Sequence, residues 1–167
     1  LSTMILEKQQ SSYLNAITHA GKNLLTLLND ILDLSKMEAK KLKIHRVPVS
    51  LDLIFKEIHG LFNVRLQKKS LEFISKIDTS LPDFLLLDEQ RFRQILINLI
   101  DNAVKFTNTG HLRMVAKKGE HQKENLVHLV IQIEDTGIGI SEDKTDIIFE
   151  SFQQESAGTS RKFGGTG

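Results

Sequence analysis

Cysteine is absent from this chain of 167 residues. That excludes a disulfide framework, a thiolate metal site and a cysteine nucleophile, and it suits a reducing compartment. Excess charge is absent too: 22 Lys and Arg against 21 Asp and Glu leave a formal +1. No strong field therefore argues for nucleic acid or an anionic membrane as a partner. The pairs Lys40–Lys41, Lys68–Lys69 and Lys117–Lys118 read as solvated faces. No apolar run approaches the roughly 18 residues of a membrane span, and the first residues do not read as a secretory signal. Internal repeats are also lacking.

What is present is an ordinary globular composition, 40% hydrophobic and 26% charged. It allows one compact domain with an appended element. From Tyr13 to Leu42, apolar residues fall at Leu14, Ile17, Leu24, Leu28, Ile31 and Leu42, the three-four spacing of a long amphipathic helix. Leu25, Leu27, Leu32 and Leu34 widen the stripe, as in a helix packed within a bundle. Such a stripe needs partner helices or its own domain's core to cover it.

Pro48 marks a break, and HRVPVSL reads as a short strand or extended linker. Ser50 or Asp52 can cap a second helix running to about Gln67, with Leu53, Ile54, Ile58 and Leu61 inward. LEFISKI alternates as a strand and TSLPD turns. Asp88 is a candidate N-cap for a helix from Glu89 to about Phe106. Its expected apolar face is Phe92, Ile95, Leu96, Leu99, Ile100 and Ala103. HLRMVAKK and LVHLVIQIE follow as strands, DIIFESF as a helical turn, and Gln153 to Gly167 as a polar, glycine-rich loop. In the last strand Val127, Leu129, Ile131 and Ile133 alternate with a mostly polar set, which suits an antiparallel sheet covered by helices on one side.

That strand ends in IEDTGIGI, Ile133 to Ile140. A dinucleotide fingerprint needs a third glycine where this chain has Glu142, and a P-loop needs a G-x-x-x-x-G-K-[ST] that does not occur. What is left is Asp135 at the strand end. A carboxylate there can accept from an exocyclic amine such as adenine's, while Gly137 and Gly139 let the backbone pass under a flat ring. A turn with no ligand is the alternative. In NLIDNAVKF, Asn98, Asn102 and Lys105 lie at i, i+4 and i+7, beside Leu99 and Ala103 at the edge of the apolar face. Amide oxygens suit Mg²⁺ and Lys105 offers a point charge for phosphate. Asparagines bonded to a neighbouring loop are the alternative here.

NLIDNAVKFT, DTGIGI, IFESFQQ and RKFGGTG occur in this order and resemble the N, G1, F and G2 boxes of sensor histidine kinases. These belong to the group of ATPases and kinases that includes gyrase, the Hsp90 chaperones and MutL. YLNAITHAGKNLLTLLNDILDLSKMEAKKL resembles the second helix of the histidine kinase dimerisation domain. The resemblance implies an α+β fold: a bundle-forming helix over residues 1–45, then an ATP-binding α/β sandwich over 46–167 with a mixed, mostly antiparallel sheet. It implies ATP and Mg²⁺ as cofactors, with Asn102 on Mg²⁺ and Asn98 and Lys105 on phosphates. Phe106 and Ile140 would flank the nucleotide, Asp135 would hold the adenine amine, and Gly137 and Gly139 would shape the floor. Phe149 and Phe152 would anchor a lid, with Arg161, Lys162, Gly165 and Gly167 on the triphosphate side.

The same resemblance implies a homodimer through the N-terminal helix and a response regulator or receiver domain as partner. It implies a cytoplasmic location, with any inner-membrane anchor elsewhere in the parent protein. Hydrolysing relatives such as gyrase carry a glutamate four residues before the metal-binding asparagine, where this chain has Asn98. An amide is no general base, so phosphoryl transfer to a histidine is favoured over hydrolysis. No HE or HD dipeptide occurs, so the phosphoacceptor is expected outside this chain; His19 is followed by Ala20. The family continues beyond GGTG with further closing elements, so the chain is expected to be a fragment. A non-catalytic nucleotide-sensing or dimerisation module is the alternative function, and a hydrolysing relative a third.

Overall fold

A computed structural model describes residues 2–120 and 126–141, and two units divide the chain between Lys43 and Ile44. The first unit holds one helix, α1, Ser2–Glu38. Tyr13, Leu14, Ile17, Leu24, Leu25, Leu28, Ile31 and Leu32 all lie exposed on it. The helix stops four residues short of the expected Leu42. Lys40 adopts the left-handed conformation (φ 53°), and the N–H groups of Lys40 and Lys41 turn back to the carbonyls of Met37 and Lys36. This double closure is a Schellman ending.

The second unit runs β1 (Val47–Val49), α2 (Leu51–Lys68), β2 (Glu72–Ile77), β3 (Leu85–Leu87), α3 (Glu89–Phe106), β4 (His111–Lys118) and β5 (Leu129–Asp135). Strands β1 and β3 form an antiparallel pair, Val47 opposite Leu87. In the other sheet β2 and β5 flank β4. The β2–β4 pairing is parallel and β4–β5 antiparallel, so the fold is α+β with a mixed sheet. A parallel pair needs a crossover, and α3 lies in the connection between its strands.

Both helices start at side-chain caps. Ser50 Oγ accepts from Leu53 N–H, and Asp88 Oδ1 accepts from Arg91 N–H at 3.1 Å. Each cap satisfies an orphan donor of a first turn. The core joins Ile54, Phe55, Ile58 and Phe62 of α2, Leu96, Ile100 and Val104 of α3, and Leu112, Met114 and Ala116 of β4. Val127, Leu129, Ile131 and Ile133 pack against it, as the alternation predicts. Behind the sheet, Arg113 pairs with Glu134 directly opposite, and Lys117 donates to Gln132. One face is apolar and covered, the other polar.

Two further expectations are corrected. Leu53 and Leu61 are 59% and 61% exposed; the aromatic stripe of Phe55 and Phe62 takes the inward face of α2 instead. On α3, Ile95 and Leu99 face out at 56% and 44%, while Val104 is buried. Strand β3 was not predicted, because three residues carry no readable period. The ordering of apolar faces follows which stripe buries more surface, a choice made between elements.

Asp88 Oδ2 also accepts from His45 N–H at 3.0 Å, tying the segment before β1 to the start of α3. The N–H groups of His45 and then Arg91 hold its carboxyl below the ordinary 3.8. A depressed folded-state pKa contributes stability that is fully present above the unfolded value and is lost as pH falls through the folded one. The stability gap between the protein and its Asp88→Asn variant is therefore expected to be widest at neutral pH and to narrow on acidification below about pH 4. Urea melts across that range check it; a gap indifferent to pH would remove the carboxylate from this role.

Candidate functional site

Helix α3 ends where Thr107 turns to extended backbone (φ −97°, ψ 126°) with its N–H on Ala103 O. The carbonyls left open at a helix end need donors. Lys69, at the end of α2, supplies them: Nζ lies 2.6 Å from Val104 O, 3.2 Å from Lys105 O and 2.9 Å from Thr107 O. The expectation that the Lys68–Lys69 pair is simply solvated fails for Lys69, because its ammonium is drawn to the negative end of the neighbouring helix.

The Thr107 side chain is fully buried and its Oγ1 lies 3.4 Å from Asp135 Oδ1. The same oxygen of Asp135 accepts from Gly137 N–H at 2.8 Å. Among the described residues no group bonds the second oxygen, Oδ2, and Asp135 is exposed. Gly137 sits so close that a Cβ there would stand 2.7 Å from both Asp135 Oδ1 and Phe106 O. Gly139 has φ 71°, the left-handed region that favours glycine, with open space around its Cα. Ile138 and Ile140 lie exposed beside this turn, at 65% and 54%.

Thr136 stitches the turn to the α3–β4 connection. Its Oγ1 accepts from His111 N–H at 3.0 Å and donates to Thr109 O at 3.2 Å. Gly110 has φ 104°, and a Cβ there would collide with the Thr136 side chain. Thr107, Gly110, Thr136 and Lys69 were given no role by sequence reasoning; the TNTG stretch after Phe106 is a turn signal that covers Thr107 and Gly110 alone.

Among the other expected residues, Asn98 and Asn102 are exposed on α3. The expected shelter beside Leu99 is not there, since Leu99 itself faces out. Lys105 is half-buried, its Nζ 4.9 Å from the Phe106 ring centroid. Helix α3 packs against β5, so the asparagine stripe and the Asp135 turn belong to adjoining elements. Phe149, Phe152, Arg161, Lys162, Gly165 and Gly167 lie outside the described residues. So do the DIIFESF turn and the glycine-rich loop.

No group of three or more His, Cys, Asp and Glu stands together among the described residues. That donor set offers no all-protein metal cage there. Asn98 and Asn102 stand exposed on α3, and an amide oxygen is a hard donor of the kind that can join phosphate oxygens and waters on a divalent cation. A recess of about 330 Å³ lined by Asp52, Phe55, Lys56, His59, Ser75 and Ile77 shares no residue with the Asp135 turn. Its charges pair with each other, Lys56 to Asp52.

Residues 87–167 match the family described as histidine kinase-, DNA gyrase B- and HSP90-like ATPase. The signal transduction histidine-protein kinase BarA of Escherichia coli is 38% identical over 97% of this chain and 18% of its own length. The sensory/regulatory protein RpfC of Xanthomonas campestris is 35% identical over 100% of this chain and 23% of its own. The chain thus spans less than a quarter of either relative. Full-length ShkA, solved in complex with AMPPNP, superposes with a TM-score of 0.72 at 31% identity, over 93% of this chain and 32% of that one.

Two glycine substitutions should separate the site from the scaffold. Gly137→Ala forces Asp135 or the Phe106 peptide to shift and is expected to cost about 1–3 kcal/mol. Gly60→Ala, on the exposed side of α2 with nothing within 4 Å, is expected to stabilise by about 0.5–1 kcal/mol. Thermal melts of the two variants check the opposite signs.

Proposed function

We propose that this chain, whose residues 87–167 match the histidine kinase-, DNA gyrase B- and HSP90-like ATPase family, is the Mg-ATP-binding catalytic part of a sensor histidine kinase. Residues 46–167 would be the ATP-binding domain and residues 1–45 one helix of a dimerising hairpin. The observation that carries the reading is the Asp135 carboxylate: Gly137 N–H and the Thr107 hydroxyl both engage Oδ1, so Oδ2 is the oxygen for the adenine amine. Gly137 and Gly139 keep Cβ atoms away from the ring, and exposed Ile138 and Ile140 offer it apolar surface.

Asn98, Asn102 and Lys105 would serve the triphosphate from α3. Asn102 would supply an amide oxygen to Mg²⁺, and Lys105 a charge to phosphate. Held by Asn102, Mg²⁺ would supply neutralisation of phosphate charge. The protein's own part is to hold the nucleotide and keep water from being activated. Asn98 has no basic site for a water proton, and the nearby carboxylate of Asp101 is engaged by Arg65 of α2. Both features favour transfer to a histidine outside this chain, with relay to a receiver aspartate, over hydrolysis. The exposed leucine-rich stripe of α1 is the surface for a homodimer.

Two outcomes follow. Asp135→Asn is expected to weaken ATP by about 1.5–3 kcal/mol, read by calorimetry, because an amide can turn its NH₂ toward the adenine amine. Unchanged affinity would take Asp135 out of the site.

The chain alone, given excess ATP and Mg²⁺, is expected to take no label from γ-labelled ATP. His19 lies on α1 and is followed by Ala20, so it lacks an adjacent acid to take the ring proton. In-line attack needs the reacting atoms within about 3–3.5 Å, so tight nucleotide binding cannot substitute for a missing nucleophile. Acid-labile label that disappears in His19→Gln would refute this.

A further inference from the structure

We propose that Lys69, remote in sequence from every residue expected at the nucleotide, is a positioning residue for the adenine-recognising carboxylate of Asp135. The inference rests on the adenine reading above and adds the residue that makes that site rigid.

The chain of contacts starts in the core. Ser70 takes a left-handed conformation (φ 52°), and Ser70 and Leu71 N–H groups turn back to Gln67 and Leu66 carbonyls. Leu66 and Leu71 are both buried, so this ending of α2 is pinned by packing and fixes where the Lys69 side chain starts. An ammonium has three donors and no acceptor. Here all three find carbonyls near the end of α3, those of Val104, Lys105 and Thr107.

The carbonyl that Lys69 passes over is that of Phe106. It lies against Gly137, 2.7 Å from where a Cβ there would stand. The peptide between Phe106 and Thr107 therefore has an ammonium on the oxygens of the residues around it and the glycine turn close to its own oxygen. Thr107 continues the path through its buried hydroxyl to Asp135 Oδ1, and Gly137 N–H reaches the same oxygen. Without the ammonium, the carbonyls of Val104, Lys105 and Thr107 would draw water or swing to find other donors. Either movement shifts Thr107 and Gly137, and with them the carboxylate. Lys69 itself would touch no nucleotide.

A cap that merely stabilised the helix would lower the melting temperature and change affinity for all nucleotides alike. A positioning role predicts a selective effect. Inosine triphosphate carries a carbonyl where adenine has its amine, so it reports everything in the site except the Asp135 contact. The 167-residue chain is expected to prefer ATP over inosine triphosphate by about tenfold or more. Lys69→Met, which keeps the aliphatic stem, is expected to shrink that ratio by about fivefold or more, mostly through ATP. Hydrogen exchange at the Gly137 amide should accelerate in the same variant.

A lower melting temperature with an unchanged ratio and unchanged Gly137 exchange would reduce Lys69 to a helix cap and overturn the proposal. If Lys69→Met does not fold, Thr107→Val tests the same path one step later; an unaltered ratio there is equally fatal. Failure of the unsubstituted chain to distinguish the two nucleotides strikes the adenine reading instead. The Gly137 exchange, which needs no nucleotide, then still decides whether Lys69 holds the turn.

Discussion

An α-helix that ends inside a protein must find donors for its last carbonyls, and the end of α3 does so through one lysine. Val104 is fully buried and Thr107 is too, so with the fold closed the donors for their carbonyls come from the protein. Lys69 gathers their carbonyls together with that of Lys105, and the next element along, the Asp135 turn, rests on what it holds. The end of α2, the end of α3 and the end of β5 thereby meet at one place. A place where three elements end can present backbone and short polar side chains to whatever binds there.

Packing, not ion pairing, brings those ends together. Leu96, Ile100, Leu112 and Met114 are essentially fully buried between the helices and the sheet. The links between α2 and α3, Arg65 with Asp101 and Arg93 with Glu57, lie partly in solvent, where such pairs contribute little. They join the two helices at the surface, with Asp101 turned to Arg65 and Glu57 to Arg93.

The two faces of α3 have different work. One carries Leu96, Ile100, Ala103 and Val104 into the core; the other leaves Ile95, Asn98, Leu99 and Asn102 open. A single helix can therefore be fixed rigidly by its buried side while offering amides on the outer one. The same division appears in β4, whose alternate residues enter the core or meet Glu134 and Gln132 on the polar face. Rigidity and presentation are separated by periodicity, 3.6 residues in the helix and two in the strand.

Local chemistry was legible in the sequence wherever it depends on neighbours along the chain. The caps at Ser50 and Asp88, the span of α3, the alternation of β5 and the ordered motifs around Asn102 and Asp135 could all be read there. The inward faces of α2 and α3 could not be read in full, because each helix carries more apolar residues than one stripe holds. Only the neighbouring surface selects among them, leaving Leu53, Leu61, Ile95 and Leu99 outside. Strand β3 exists because β1 pairs with it, and the roles of Lys69, Thr107, Gly110 and Thr136 exist only once separate turns are brought together. The sequence determined which polar groups α3 and the Asp135 turn carry; the tertiary structure decided what holds them, since the Thr107 and Lys69 contacts span 28 and 38 residues and only that of Gly137 is local.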